Sequence, residues 1–251
     1  MDAGTGPRGV WSVTRTVVCT MLAFAALATS ACGTDDRAAE RASPAATVTA
    51  PSLALPAPRL TGPLSVEEAL ARRRSVRDFA DEPVTAAQLA QLLWAAQGVT
   101  APVSGLRTAP SAGALYPLEV YVAVERVVGI PAGVYRYAPA SHRLELVLDR
   151  RVRPELGEAA LSQAAVAGAP VTIALAAVYA RTTQKYGDRG RRFVHMEAGH
   201  AAQDVYLQAT ALGLGTVSIG AFDDDRVQAV LAMHPDEEAL YLLPVGVPAT
   251  R

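Results

Sequence analysis

Between Pro170 and Arg181 the chain reads V-T-I-A-L-A-A-V-Y-A, a run with no charge and no helical period. At Val171 to Tyr179 it is too short to cross a bilayer, which needs about 20 apolar residues as a helix. Its β-branched residues and continuous apolarity fit a strand buried on both faces rather than one with a wet side. A chain with such a strand must place further layers above and below one sheet.

The flanking segments supply those layers. Ser65 with Glu68 forms a capping box, and Val66, Ala69 and Leu70 follow as an inward-facing helical set. Thr85 with Gln88 repeats the device, ahead of Leu89, Leu92, Leu93 and Ala96 at one-face spacing, with Gly98 as the stop. Residues 118–125 alternate as a strand, and 134–137 and 143–148 read as shorter strands about a Pro139-Ala140-Ser141 turn. The pattern predicts helix over 155–167, a polar stretch over 182–192, and a long helix over 193–212 that Gly213 and Gly215 end. It then predicts a strand over 216–219, a helix capped at Asp223 to Asp225, and a last strand over 241–247. Helices before, between and after strands indicate an α+β sandwich instead of a regular β-α-β alternation.

The N-terminus stands apart. Arg8 and Arg15 precede an apolar run from Val17 to Ala28, followed by Thr29-Ser30-Ala31-Cys32. This is the n-region, h-region and small-residue cleavage site of a secretory signal over 1–31. The small residues before Cys32 are similar to a bacterial lipobox, in which the cysteine is lipidated; ordinary cleavage after Ala31 is the other reading. The chain has two cysteines, and Cys19 lies inside the removable run. Cys32 would then have no internal disulfide partner, which favours acylation. The expectation is an exported protein held by its N-terminal lipid at the outer face of a bacterial cell membrane. Residues 32–61, rich in Ala, Pro, Thr and Ser, read as a tether, and 62–251 as one domain. A formal charge of −1 argues against nucleic acid as the main partner.

Several residues could carry chemistry. Arg73 and Arg77, four apart, would share one side of a helical turn and could grip a phosphate as paired forks. Taken alone, a solvated basic helix end is the better reading of the pair. Gly213-Leu214-Gly215 follows a helix, so it is a helix stop and not a dinucleotide loop. His195 and His200 are five apart and face different sides of a helix, a poor pair for metal. Ser111 lacks the G-x-S-x-G elbow of a hydrolase. Lys185-Tyr186, among Arg181, Arg189, Arg191 and Arg192, could move protons or could simply decorate a polar loop.

Five blocks in order change these odds: RRRSVRDF (72–79), PSAGALYPLEVYV (110–122), QKYGDRGRRFVHMEAGHAAQD (184–204), ALGLGTVSIGAFDD (211–224) and YLLPVGVP (241–248). Together they resemble the nitroreductase family of FMN enzymes, in its SagB-type dehydrogenase branch. The resemblance implies an α+β fold with a central, mostly antiparallel sheet flanked by helices, and a homodimer with FMN at the subunit interface. It implies that Arg73, Arg74 and Ser75 hold the phosphate while Arg77 reaches the pyrimidine edge of the ring. Ser111, Ala112, Gly113, Ala114 and Leu115 would pack on the flavin, with Ser218, Ile219, Gly220 and Ala221 lining its other side. Arg251 would complete the phosphate site, and Lys185 with Tyr186 would take the substrate proton. Three functions stay open: oxidation of a small molecule or peptide, as in azoline-to-azole conversion; NAD(P)H-driven reduction of nitroaromatics or quinones; and flavin binding without turnover.

Overall fold

The computed structural model describes residues 51–250. The expectations for the signal segment, Cys32 and Arg251 lie outside the described residues. Within them, the strand expected at Val171 becomes the centre of the molecule. Strand β9 (Val171–Ala177) is buried at all seven positions. It pairs with β5 (Leu118–Val124) on one side and β11 (Glu238–Gly246) on the other, both antiparallel.

The seven-stranded sheet extends from these three. Beyond β5 lie β7 (Gly133–Ala138), β8 (Arg143–Leu148) and β1 (Ser52–Ala54); beyond β11 lies β10 (Gly215–Thr216). Every pairing in it is antiparallel, as the resemblance implied. Short pairs lie outside the sheet: β2 (Val84–Thr85) with β6 (Val127–Val128), and β3 (Val99–Ala101) with β4 (Leu106–Arg107).

Alternation along the central strands sorts their side chains to two cores. Val120, Val122, Ile173 and Leu175 pack on one face with Leu89, Leu92, Leu93, Val194, Ala198 and Val205. These belong to α2 (Ala86–Gln97) and α6 (Arg189–Ala211). Tyr121, Ala123, Ala174 and Ala176 pack on the other with Leu156, Val166, Val227 and Leu231. Here the cover is α3 (Arg153–Ala159), α4 (Ala164–Gly168) and α7 (Asp224–Val230). The chain is α+β, with helices on both faces of one antiparallel sheet.

Both capping boxes form, at Ser65 for α1 (Val66–Arg72) and at Thr85 for α2. Four expectations need correction. Ser52–Ala54, read as tether, is an edge strand on β8, and Leu55 beyond it is buried in the core. With only two apolar residues, Leu53 and Leu55, the segment is too short for a period to register. Val66 and Leu70 of α1 are 65% and 53% exposed, and only Ala69 of that set is buried. The helix expected over 155–167 is two helices, because Leu161 and Ser162 take positive φ between them. The polar stretch 182–192 is helical, as α5 (Ala180–Tyr186) and the first turn of α6.

The new strand yields a test. Leu55→Ala should lower stability by ~1.5 kcal/mol, the share of a leucine buried near a sheet edge. Urea unfolding of the two proteins measures it, and an unchanged midpoint would return the segment to the tether.

Candidate active site

Arg73 caps α1 with extended geometry, φ −52° and ψ 125°, so the chain leaves the helix before Ser75. The shared helical turn proposed for Arg73 and Arg77 does not exist. Ser75 instead makes a parallel bridge to Thr216, and the Val76 amide donates to the Thr216 carbonyl. In an extended segment, residues two apart point the same way. Ser75 and Arg77, two apart, both line the cavity beside this segment. Arg74 donates to the Ala71 and Arg73 carbonyls, folding back on its own chain. Gly215 makes this packing feasible: a Cβ there would lie 2.6 Å from the Val76 Cβ. A cavity of about 460 Å³ opens between residues 74–78 and Pro248-Ala249.

Tyr206, on α6, ties these segments together and was not legible as a site residue. Its hydroxyl accepts from the Ser218 amide at 2.8 Å and lies 3.1 Å from the Ser75 hydroxyl. The Arg73 guanidinium sits over its ring, 5.2 Å from the centroid. Burial raises the phenol's pKa, but hydrogen bonds from Ser218 and Ser75 and the Arg73 charge outweigh it and hold the group below its ordinary value. A tyrosine in a long helix reads as core; the available signal was that a buried phenol needs a partner. Ile219 points into the core while its backbone pairs with Leu242, and Gly220 and Ala221 are exposed beyond it.

The second group forms around the loop ahead of β5. Ala112–Ala114 makes a 3-10 turn in which Gly113 and Ala114 have φ of +64° and +54°, and Tyr116 follows at +46°. Clustered left-handed backbone of this kind is held by its surroundings and recurs at functional sites. Here the Ser111 hydroxyl accepts from the Tyr116 amide at 2.9 Å, stapling the loop's two ends. Arg107 lies over the Tyr116 ring at 4.5 Å. Leu115 is half-buried behind the exposed Gly113 and Ala114.

Lys185 and Tyr186 converge on this loop. A Cβ built on Gly113 would lie 2.9 Å from Lys185 Nζ and 2.8 Å from Tyr186 Oη. The Tyr186 ring is fixed edge-on against Phe193, with centroids 5.2 Å apart. Glycine suits this position by its positive φ and by the two polar tips packed against it. The pair is thus part of a built corner and not loop decoration.

The two groups reach α6 at different places. Glu197, behind the Ser111 loop, and Tyr206, at the Arg73 end, are nine residues apart on α6. At 100° per residue they lie on opposite sides of the helix, about 13 Å apart along its axis. The face between them carries the half-exposed Met196 and Gly199, whose Cα has open space around it. Among the described residues no helix is long and apolar enough to cross a membrane, and no cluster of His, Cys, Asp or Glu could hold a metal ion.

Comparison with known proteins agrees with this architecture. The nitroreductase family model matches residues 70–247. A Methanocaldococcus jannaschii protein assigned to the nitroreductases is 51% identical over 183 residues, covering 73% of this chain and 91% of the relative. A solved Ralstonia eutropha structure, also assigned to the nitroreductases, superposes with a TM-score of 0.70 at 30% identity, over 83% of this chain and 94% of that one. A chain of the E. coli microcin synthetase McbBCD complex, solved with truncated pro-MccB17 bound, gives 0.62 at 25% identity, over 71% and 70%. The chain belongs to the nitroreductase family of oxidoreductases.

Proposed function

We propose that this protein is an FMN-dependent dehydrogenase of the SagB type, acting as a homodimer on a small-molecule or peptide substrate. One observation carries the reading: Lys185 Nζ and Tyr186 Oη meet at the Gly113 turn of the loop that resembles a flavin-packing loop. The likeness to a chain of a peptide-modifying synthetase complex supports a peptide substrate.

The residues present fit FMN. Ser75 and Arg77 offer a hydroxyl and a guanidinium fork to a cavity of about 460 Å³, and Arg73, just before them, holds a second fork over the Tyr206 ring. Among the described residues no carboxylate pairs with Arg73 or Arg77, so both cations are available to a phosphate. Gly113 carries no side chain where Lys185 and Tyr186 close on the loop. When bound, FMN supplies a two-electron acceptor for hydride. This chain's part is to anchor the phosphate through Arg73 and Ser75, to set the positive charge of Arg77 beside the ring, and to place Lys185 and Tyr186 where a proton is lost.

Because the phosphate end and the loop lie on opposite sides of α6, one chain does not close the site. Two copies facing each other across the Met196–Gly199 side of α6 would bring one chain's Arg73 end to the other's Ser111 loop. The exposed Val66 and Leu70 on α1 would then gain a cover that the described residues do not supply.

Similarity to the archaeal relative favours a second reading, NAD(P)H-driven reduction of nitroaromatics or quinones. Anaerobic mixing separates them. A thiazoline-containing peptide that bleaches the flavin supports the dehydrogenase; bleaching by NAD(P)H alone supports the reductase. Failure to take up FMN at all would remove both.

Export and lipid attachment through Cys32 remain part of the proposal. Cys32→Ser should move the protein from the membrane to the soluble fraction, and a wild type already soluble would leave only ordinary signal cleavage.

A further inference from the structure

Glu197 is 2% exposed, faces the Ser111 loop from α6, and has one carboxyl oxygen, Oε1, without any hydrogen-bond partner. Nothing in the flavin reading above uses it. A buried acid with an orphan oxygen is rare and calls for a reason. Its surroundings are few. The Ser111 hydroxyl is within hydrogen-bonding reach, and the Arg107 guanidinium is the nearby charge. Arg107 is in turn held by Gln97 Oε1 at 2.8 Å, and is influenced by Glu119, Tyr116 and Arg181.

Ser111 has two bonds to make. Its oxygen already accepts from the Tyr116 amide, which leaves its proton free to be donated. The carboxyl on the α6 side close enough to feel that hydroxyl is Glu197. Two residues further on, Gly113 receives Lys185 and Tyr186. Whatever fixes Ser111 therefore fixes the corner that the catalytic pair defines.

We propose that Glu197 is a positioning residue of the flavin site: as a carboxylate it clamps Ser111 and holds the Ser111–Leu115 loop closed, and on protonation it relaxes that clamp. The proposal rests on the flavin reading for its consequence but not for its geometry. Burial outweighs the lowering pull of the Ser111 hydroxyl and Arg107 and leaves the carboxyl raised to about 7. The sign follows from linkage. If the closed loop favours the ionised carboxyl, then ionisation favours the closed loop by the same factor. Flavin affinity should thus rise as pH passes upward through neutrality.

The test uses riboflavin, which has no phosphate of its own to titrate. Fluorescence titration of the wild type should show affinity rising about tenfold between about pH 6 and 8, the effect of one unit of coupling. Glu197→Gln, which accepts more weakly and does not ionise, should stay flat at the weaker, low-pH level. Ser111→Ala cuts the same link from the loop side and should also be flat, so the test survives if the first variant folds poorly. Hydrogen exchange of the Tyr116 amide in the flavin-free protein, corrected for its intrinsic pH dependence, should show protection rising with pH in the wild type only. A Glu197→Gln protein that titrates like the wild type, or binds equally well at pH 8, would overturn the proposal. No riboflavin binding together with pH-dependent Tyr116 protection would instead sink the flavin reading and leave the clamp standing.

Discussion

Tyr186→Phe and Lys185→Ala should each slow anaerobic bleaching of the flavin by an oxidisable substrate by ~10²–10⁴-fold, the usual contribution of a positioned base. The reasoning is a balance of charge. A substrate that loses hydride must also lose a proton, and the groups placed to take it are Nζ of Lys185 and Oη of Tyr186, both against Gly113. Phe keeps the edge-on contact with Phe193 and deletes only the ionisable group, so packing should survive. FMN content should be unchanged in both variants. Hydride drawn from NAD(P)H needs no base, so the rate with that donor should hardly move. Stopped-flow absorbance with each reductant makes the comparison, and near-wild-type rates throughout would take the pair out of the mechanism.

Arg73→Ala should weaken FMN binding by ~2 kcal/mol, about 30-fold, as the loss of a charge-assisted contact does. The same change frees the Tyr206 ring from the cation above it, 5.2 Å from its centroid, and so loosens the pin between Ser75 and Ser218. Riboflavin, lacking the phosphate, should lose much less affinity than FMN. Equal losses for the two ligands would mean that Arg73 acts through Tyr206 rather than on the phosphate.

How far the sequence could be read depended on how local each cause was. The two capping boxes are set by residues three apart, and both formed where the spacing put them. Strand β9 announced itself because burial on both faces leaves no polar position to confuse the pattern. Arg73 and Arg77 were read on one helical turn, but α1 ends at Arg72 and the bridge from Ser75 to Thr216 joins segments far apart in the chain. Tyr206 stayed hidden for a related reason: its partners, Ser75 and Ser218, come from two other elements. Val66 and Leu70 looked inward by periodicity, yet among the described residues nothing covers them fully. Five sequence blocks carried the family and, with it, the expectation of a site at a subunit interface, while the helix's angular geometry added which side of α6 a partner would cover.

That split is the central claim, and mixing two defective proteins tests it. One carries Arg73→Ala with Ser75→Ala and lacks the phosphate end; the other carries Gly113→Val and lacks the loop. At an FMN concentration where neither binds alone, the 1:1 mixture should recover about a quarter of the wild-type FMN content. Half of a random mixture is heterodimer, and each heterodimer rebuilds one of its two sites. FMN content no higher than in the separate proteins would contradict a site shared between two chains.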